Sequence, residues 1–442
     1  MTFFRSLSFK VSADAIVFAV GFANSVLITR ILGPAGRGRY VLLATTINLL
    51  ALLFGEGLRQ SNAYLVGKDR GRTGGVFSNT VFYGGAVGLL LLGLFFLGQR
   101  WLWFSRLAGV RDLLLVTLLI AVVTVLFRGF CAIFLGLERM VEYNLTPPFF
   151  ILLYFCGNLF ALKVLSLGLP GVMSSWLVAV VLVSALTVFL LWRIMHSGPF
   201  QGGETSLKVR KGLDTALLRS SLRLGFKGML ISLLLALLFR VDIYLVNHFL
   251  GAGLTGIYSI SIVFAEMLQK VPNAAGTVLF SKIGSSKQRW GDELTATVCR
   301  FIFLLTVALA LVLVLTGKWL IPFLFGERFS GAYLPLVCML PGVIAVASGS
   351  IINTNLWGRG YPVLSVIAPA VALSVNVVLN LLLIPTVGLV GAGLATSVAY
   401  ILWGLLIFGY FVRNSSFSLP ELIWPKASDL LVLKGRIGKD AT

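Results

Sequence analysis

Leu32-Gly33-Pro34-Ala35-Gly36-Arg37-Gly38-Arg39-Tyr40 and Leu250-Gly251-Ala252-Gly253-Leu254-Thr255-Gly256-Ile257-Tyr258 share four of nine residues at an offset of 218. Each stretch separates two apolar runs, and its glycines allow the chain to leave one helix and enter the next. Other matches keep nearly the same spacing. Gly136, Pro147 and Asn158 correspond to Gly358, Pro369 and Asn380 at 222, and Gly168-Leu169-Pro170-Gly171 to Gly388-Leu389-Val390-Gly391 at 220. Helix-ending glycines produce any one such match by chance. Several in order, at one offset, indicate an internal repeat.

Outward from these turns the chain is a series of apolar runs, each long enough to cross ~30 Å of hydrocarbon. They fall near 11–33, 40–62, 76–98, 113–136, 147–167, 171–193, 224–249, 255–281, 296–317, 333–357, 363–385 and 389–412. The predicted fold is therefore an all-α integral membrane protein of about twelve transmembrane helices. Six spans per half is an even number, so both halves enter the bilayer from the same side. That predicts two parallel six-helix bundles related by a pseudo-twofold along the membrane normal, the build of transporters that work by alternating access. The expected organisation is an N-terminal bundle over 1–195, a basic linker over 196–222, a C-terminal bundle over 223–412 and a tail over 413–442.

Composition agrees with this and removes other classes. Of 442 residues 58% are hydrophobic and 12% charged, against about 25% charged in soluble domains. Mean hydropathy is +0.97. The net charge of +20 raises the question of nucleic acid, but the basic residues lie between apolar runs and build no basic face, so no nucleic-acid partner is expected. With the N-terminus inside, roughly 22 Lys and Arg fall on the cytoplasmic side and roughly 9 outside. The densest inside segment carries Lys208, Arg210, Lys211, Arg219 and Arg223. Both termini are then cytoplasmic, and the first run is a retained helix, not a cleaved signal. Leu419 to Leu433, interrupted by Pro420 and Pro425, looks interfacial. Cys131, Cys156, Cys299 and Cys338 sit inside apolar runs without ligand spacing and read as small core residues, so no metal and no cofactor is expected. The two histidines, His196 and His248, have no carboxylate pair or phosphate-binding glycine loop beside them, so no enzyme is expected.

Charges inside apolar helices cost roughly 2.5–3.5 kcal/mol each on insertion scales, which makes those present functional candidates. Glu56 and Arg59 are three residues apart, and Glu266 and Lys270 four apart; both spacings favour intrahelical pairs. Arg30, Arg128 and Arg240 have no acidic residue at such a spacing, and Asp242, two from Arg240, is expected on another face. A cavity that collects Arg30, Arg128, Arg240, Arg59 and Lys270 would suit an anion, above all a phosphate, which guanidinium grips with a planar fork. An interhelical ion pair is the competing reading for Arg240, and snorkelling to the interface for Arg30. Asp14, Glu56, Asp242 and Glu266 are candidate coupling or charge-partner residues. Asn24, Asn158, Asn376 and Asn380 either bond between helices or meet sugar hydroxyls.

The stretch Arg30-Ile31-Leu32-Gly33-Pro34-Ala35-Gly36-Arg37-Gly38-Arg39-Tyr40 resembles the first-helix exit of the oligosaccharide flippases. These form the polysaccharide-transporter family of the multidrug/oligosaccharidyl-lipid/polysaccharide exporter superfamily. Leu324-Phe325-Gly326-Glu327-Arg328-Phe329, Leu356-Trp357-Gly358-Arg359-Gly360, Asn380-Leu381-Leu382-Leu383-Ile384-Pro385 and Gly388-Leu389-Val390-Gly391-Ala392 resemble that family's C-terminal region, in its order. The resemblance implies twelve helices around a cationic cavity that turns over a polyprenyl-diphosphate-linked oligosaccharide. The setting it implies is the bacterial inner membrane, for O-antigen, capsule or exopolysaccharide synthesis, with the pathway's polymerase and glycosyltransferases as partners. Arg30, Arg128 and Arg240 are the places it suggests for the cavity chemistry. Two relatives are similar: the peptidoglycan-precursor flippases, which usually carry two more helices, and the multidrug and toxin extrusion antiporters, for which Asp14 would be the cation-coupling residue.

Overall fold

A computed structural model describes residues 3–98, 111–196, 215–283, 288–360, 363–424 and 426. Lys208, Arg210 and Lys211 of the expected linker, and the tail after 426, lie outside the described residues. The described residues are helical apart from short turns and contain no strand. Among the described residues, ten helical stretches are long and apolar enough to span a membrane, making this a multi-pass membrane protein.

Two of the ten, Ser12–Lys68 with 57 residues and Leu217–Phe280 with 64, are far longer than the ~20 residues one crossing needs. Both contain a break. In α1 (Phe3–Lys68) it is Gly33, with φ 66 and ψ −175, and in α7 (Val241–Ile283) it is Gly251, with φ 78 and ψ 174. These values are open to glycine and strained for any residue with a Cβ. The chain folds back at these points. Tyr258 hydrogen-bonds Asp242 at 2.6 Å, although sixteen residues of straight helix would hold them about 24 Å apart. Division at the two glycines turns ten stretches into about twelve spans.

The chain forms two compact units, Met1–Leu233 and Leu234–Thr442. The first holds α1, α2 (Thr73–Gly98), α3 (Leu114–Gly136), α4 (Met140–Leu159), α5 (Gly168–His196) and most of α6 (Thr215–Leu238). The division between units thus falls inside the first helix of the expected C-terminal bundle. In the first unit, Ile28, Leu43, Ile47, Ile120, Val172 and Met173 form one core cluster, and Val66, Phe130, Phe134 and Leu191 belong to another. The second unit contains the end of α6, α7, α8 (Gln288–Phe325), α9 (Tyr333–Gly358), α10 (Leu364–Val387), α11 (Leu389–Asn414) and the one-turn α12 (Leu419–Ile423). Its core includes Ile351, Ile352, Ala399, Trp403 and Ile407.

Several helices outrun their apolar cores. Helix α4 begins at Met140, before the Pro147 that marks the start of the apolar run, and α6 begins at Thr215, so Arg219 and Arg223 lie on a helix. In the described part of the stretch expected at the interface, Leu422 is fully buried and Arg300 Nη1 donates to the Glu421 carbonyl at 2.6 Å, while Leu419 and Trp424 are exposed. There, Lys426 Nζ and the Ser418 N–H and hydroxyl donate to the Glu421 carboxylate, which holds its pKa down to about 2. Of the four free cysteines, Cys131 and Cys299 are buried and Cys338 is partly so. Cys156 is exposed, so it is no core residue.

Candidate functional site

In the first unit, α1, α3 and α4 enclose a cavity of about 200 Å³ lined by Asp14, Arg59, Arg128, Tyr143, Asn144 and Thr146, among others. Helical periodicity sets up the α1 wall. Glu56, Arg59 and Gln60 lie within one turn, and Arg59 grips Glu56 with two bonds, Nε to Oε2 at 2.9 Å and Nη2 to Oε1 at 2.5 Å. Gln60 Nε2 also donates to Glu56 Oε1 at 2.9 Å. The Glu56 side chain is 11% exposed and that of Arg59 36%, so the carboxylate forms the base of the pair and the guanidinium faces the opening. Arg128, from the next-to-last turns of α3, donates through Nη2 to Asn48 Oδ1 at 3.3 Å. It lies within electrostatic range of both Glu56 and Arg59.

Helix α4 supplies the remaining polar lining. Thr146 satisfies itself on the Tyr143 carbonyl at 3.1 Å and touches Cys131 Sγ at 3.5 Å. Asn144 differs. It is 8% exposed, it lines the cavity, and its amide makes no hydrogen bond among the described residues. Sequence reasoning missed Asn144 and Tyr143 because they precede Pro147-Pro148, where the apolar run begins; the available signal was a polar pair one turn ahead of a proline that a helix can include.

The expected site residues are thus sorted. Arg59, Arg128, Asp14 and, through its pairing, Glu56 come together. Arg30 is exposed at the far end of the first arm of α1 and does not line this cavity. Arg240 is not an uncompensated cation: it forms an ion pair with Glu266. That corrects the expected Glu266–Lys270 pair. Arg240 stands in the turn between α6 and α7, so it can reach a carboxylate 26 residues on, while Lys270 is exposed. Asp242 is 1% exposed and accepts from Tyr258 at 2.6 Å, Thr396 at 3.3 Å and the Ile243 N–H at 2.8 Å. The four asparagines weighed as sugar contacts are buried and bonded to one another. Asn158 Nδ2 donates to Asn24 Oδ1 at 2.9 Å, and Asn380 Nδ2 to Asn376 Oδ1 at 2.9 Å. These bonds join helix to helix, or turn to turn, while Asn158 Oδ1, Asn376 Nδ2 and Asn380 Oδ1 are buried without a hydrogen-bond partner among the described residues.

The second unit has its own cavity of about 240 Å³, lined by residues that include Asp292, Arg359, Tyr410 and Asn414. Arg359 and Asp292 close on each other there at 2.6 Å, and Asn355 braces the carboxylate at 3.3 Å. Among the described residues no group of three His, Cys, Asp or Glu could hold a metal.

Residues 27–334 match the model of a family described as polysaccharide biosynthesis protein. No curated protein sequence matches the chain. Among solved structures, the lipid II flippase MurJ in an inward closed conformation is similar over 98% of this chain and 93% of its own, with a TM-score of 0.74 and 18% identity. An inward-facing multidrug resistance MATE family transporter of the MOP superfamily is similar over 93% and 98%, with a TM-score of 0.70 and 15% identity. A MOP superfamily transporter from Pyrococcus furiosus, described as having a binding pocket of reverse polarity that suggests a different function, is similar over 93% and 95%, with a TM-score of 0.64 and 16% identity. At these identities the likeness is one of fold.

Proposed function

Because the chain belongs to the polysaccharide biosynthesis protein family, we propose that it is a flippase for a polyprenyl-diphosphate-linked oligosaccharide. It moves the glycan head from the inner to the outer leaflet of a bacterial cytoplasmic membrane by alternating access. The observation that carries this reading is the pocket that holds Arg59 and Arg128 together inside apolar helices. Two guanidinium groups offer a diphosphate planar, multidentate hydrogen bonding at a fixed charge. Glu56 keeps Arg59 neutralised while the site is empty, and a diphosphate with more charge and more acceptor oxygens competes for the same N–H groups. With the N-terminus inside, the end of α1 that carries Asp14 faces the cytoplasm, where lipid-linked glycans are built. Moving an anion outward across a membrane that is negative inside gains about 2.3 kcal/mol per charge per 100 mV, so the potential favours export. The lipid tail stays in the bilayer throughout.

Deletion of the gene is expected to accumulate lipid-linked glycan in the cell and to remove surface polymer. Arg128→Ala, expressed at the normal level, should reproduce both, as read by lipid extraction and polymer staining. Surface polymer unchanged in that variant sinks the cavity assignment. Asp14 on the same cavity favours one second reading, a cation-coupled antiporter of the multidrug type. In that case deletion changes susceptibility to dyes and antibiotics and leaves polymer intact.

A further inference from the structure

We infer that Asn144 reads the first sugar of the transported glycan, so that the first unit's cavity recognises a sugar and a diphosphate together. This rests on the flippase reading above and extends it from charge to sugar identity. Three observations converge on it. Asn144 is more than nine-tenths buried and lines the cavity that contains Arg59 and Arg128. Its amide has no hydrogen-bond partner among the described residues, whereas its neighbour Thr146 is satisfied within α4 and Arg128 has Asn48. An amide that faces a cavity and has no protein partner takes its hydrogen bonds from what fills the cavity, so it marks a place where a ligand can supply them in place of water. The cavity, at about 200 Å³, falls below the ~300–1,000 Å³ that enclose a whole drug-sized ligand. It has room for one end of a lipid-linked glycan and not for the chain of sugars.

The chemistry of that end selects the partner for Asn144. In a polyprenyl-diphosphate glycan the group next to the diphosphate is the reducing-end sugar, so guanidiniums that hold the phosphates bring that sugar against the adjoining wall. A primary amide presents donors and an acceptor in one plane and matches a pair of ring hydroxyls or an acetamido group. Tyr143, on the same turn of α4, lines the cavity with it and adds an aromatic face and a hydroxyl. A site that hydrogen-bonds a substrate group discriminates strongly against analogues lacking it.

The test uses the full-length protein in nanodiscs and three probes: polyprenyl diphosphate without sugar, the same lipid bearing N-acetylglucosamine, and the same lipid bearing galactose. Wild type is expected to bind one glycosylated probe about tenfold more tightly than the bare lipid. Asn144→Ala should bring that ratio close to one, and Asn144→Ser, which keeps one hydroxyl and changes packing less, should retain part of it. Arg59→Ala with Arg128→Ala should weaken all three probes and keep the ratio. A wild type that binds the three alike, or an Asn144→Ser variant whose ratio is that of wild type, overturns the sugar inference, and water then accounts for the amide. Unchanged binding of every probe in the double arginine variant overturns the diphosphate reading instead, so the two failures are separable.

Discussion

Tyr258 and Thr396 give the Asp242 carboxylate hydroxyl donors inside an apolar unit, and the Ile243 N–H supplies another bond. A carboxylate that is 1% exposed holds its place only through such bonds, because removing one donor leaves a lone pair with no water to turn to. Hydrogen bonds to charged groups contribute about 1.5–3 kcal/mol each. Tyr258→Phe removes the hydroxyl and little volume, and is expected to destabilise the protein by about that amount, measured as a lower midpoint of thermal unfolding in detergent. A midpoint equal to wild type would show that Asp242 does not depend on the tyrosine. How far such partnerships could be read in the sequence depended on distance along the chain. The Glu56–Arg59 pair was legible because three residues on a helix fix its geometry. Arg240 and Glu266 were not matched because their meeting needs the chain to reverse at Gly251. The asparagines could be located but not assigned, since a buried amide reads the same whether its partner is a helix or a ligand.

Helix α6 approaches the second arm of α1 at Gly225, a position that has no room for a side chain. A Cβ on Gly225 would lie 2.2 Å from the Gly57 carbonyl oxygen, and one on Gly228 would lie 1.9 Å from Gln60 Oε1. The two backbones touch, as small residues permit in membrane helix pairs. This approach lies on the turn of α1 that carries Glu56, Arg59 and Gln60. Gly225→Leu should push α6 away from α1 and loosen that turn. In a background without native cysteines, Gln60→Cys is expected to react slowly with a charged methanethiosulfonate reagent and at least several-fold faster once Gly225→Leu is added. Equal rates would mean that the crossing does not shield this turn. The number of such helices was legible from apolar length alone, but their extents were not. Helices α4 and α6 begin ahead of their apolar runs at Met140 and Thr215, because hydrogen bonding carries a helix on past the hydrocarbon while hydropathy reports only the part inside it. The crossing itself was hidden, since glycines spaced for close approach look the same as glycines that end helices.

The repeat is the feature of the whole chain that the sequence disclosed most fully, and backbone conformation shows why. Left-handed residues recur at Gly33 and Gly251, at Glu138 and Gly360, and at Gly168 and Gly388, with spacings of 218, 222 and 220. Each pair closes the same kind of turn in its own unit, and glycine holds five of the six places because a Cβ there is strained. What the two units share is thus a set of reversals, each of which sends the chain back across the membrane, and twelve crossings return its end to the side where it began. By the positive-inside rule, the excess of Lys and Arg between spans predicts that this side is the cytoplasm. Reporter fusions test the count and the direction together. Green fluorescent protein after Thr442 should fluoresce, alkaline phosphatase after Glu138 should be silent, and alkaline phosphatase after Arg328 should be active, because four crossings precede Glu138 and nine precede Arg328 when α1 and the 215–283 stretch are each counted twice. An active enzyme at Glu138 together with a silent one at Arg328 would invert the protein. The cavity of the first unit would then open to the outside, away from the compartment where lipid-linked glycans are made. Two silent or two active fusions would break the even count instead, and with it the same-sense repeat that alternating access between the halves requires.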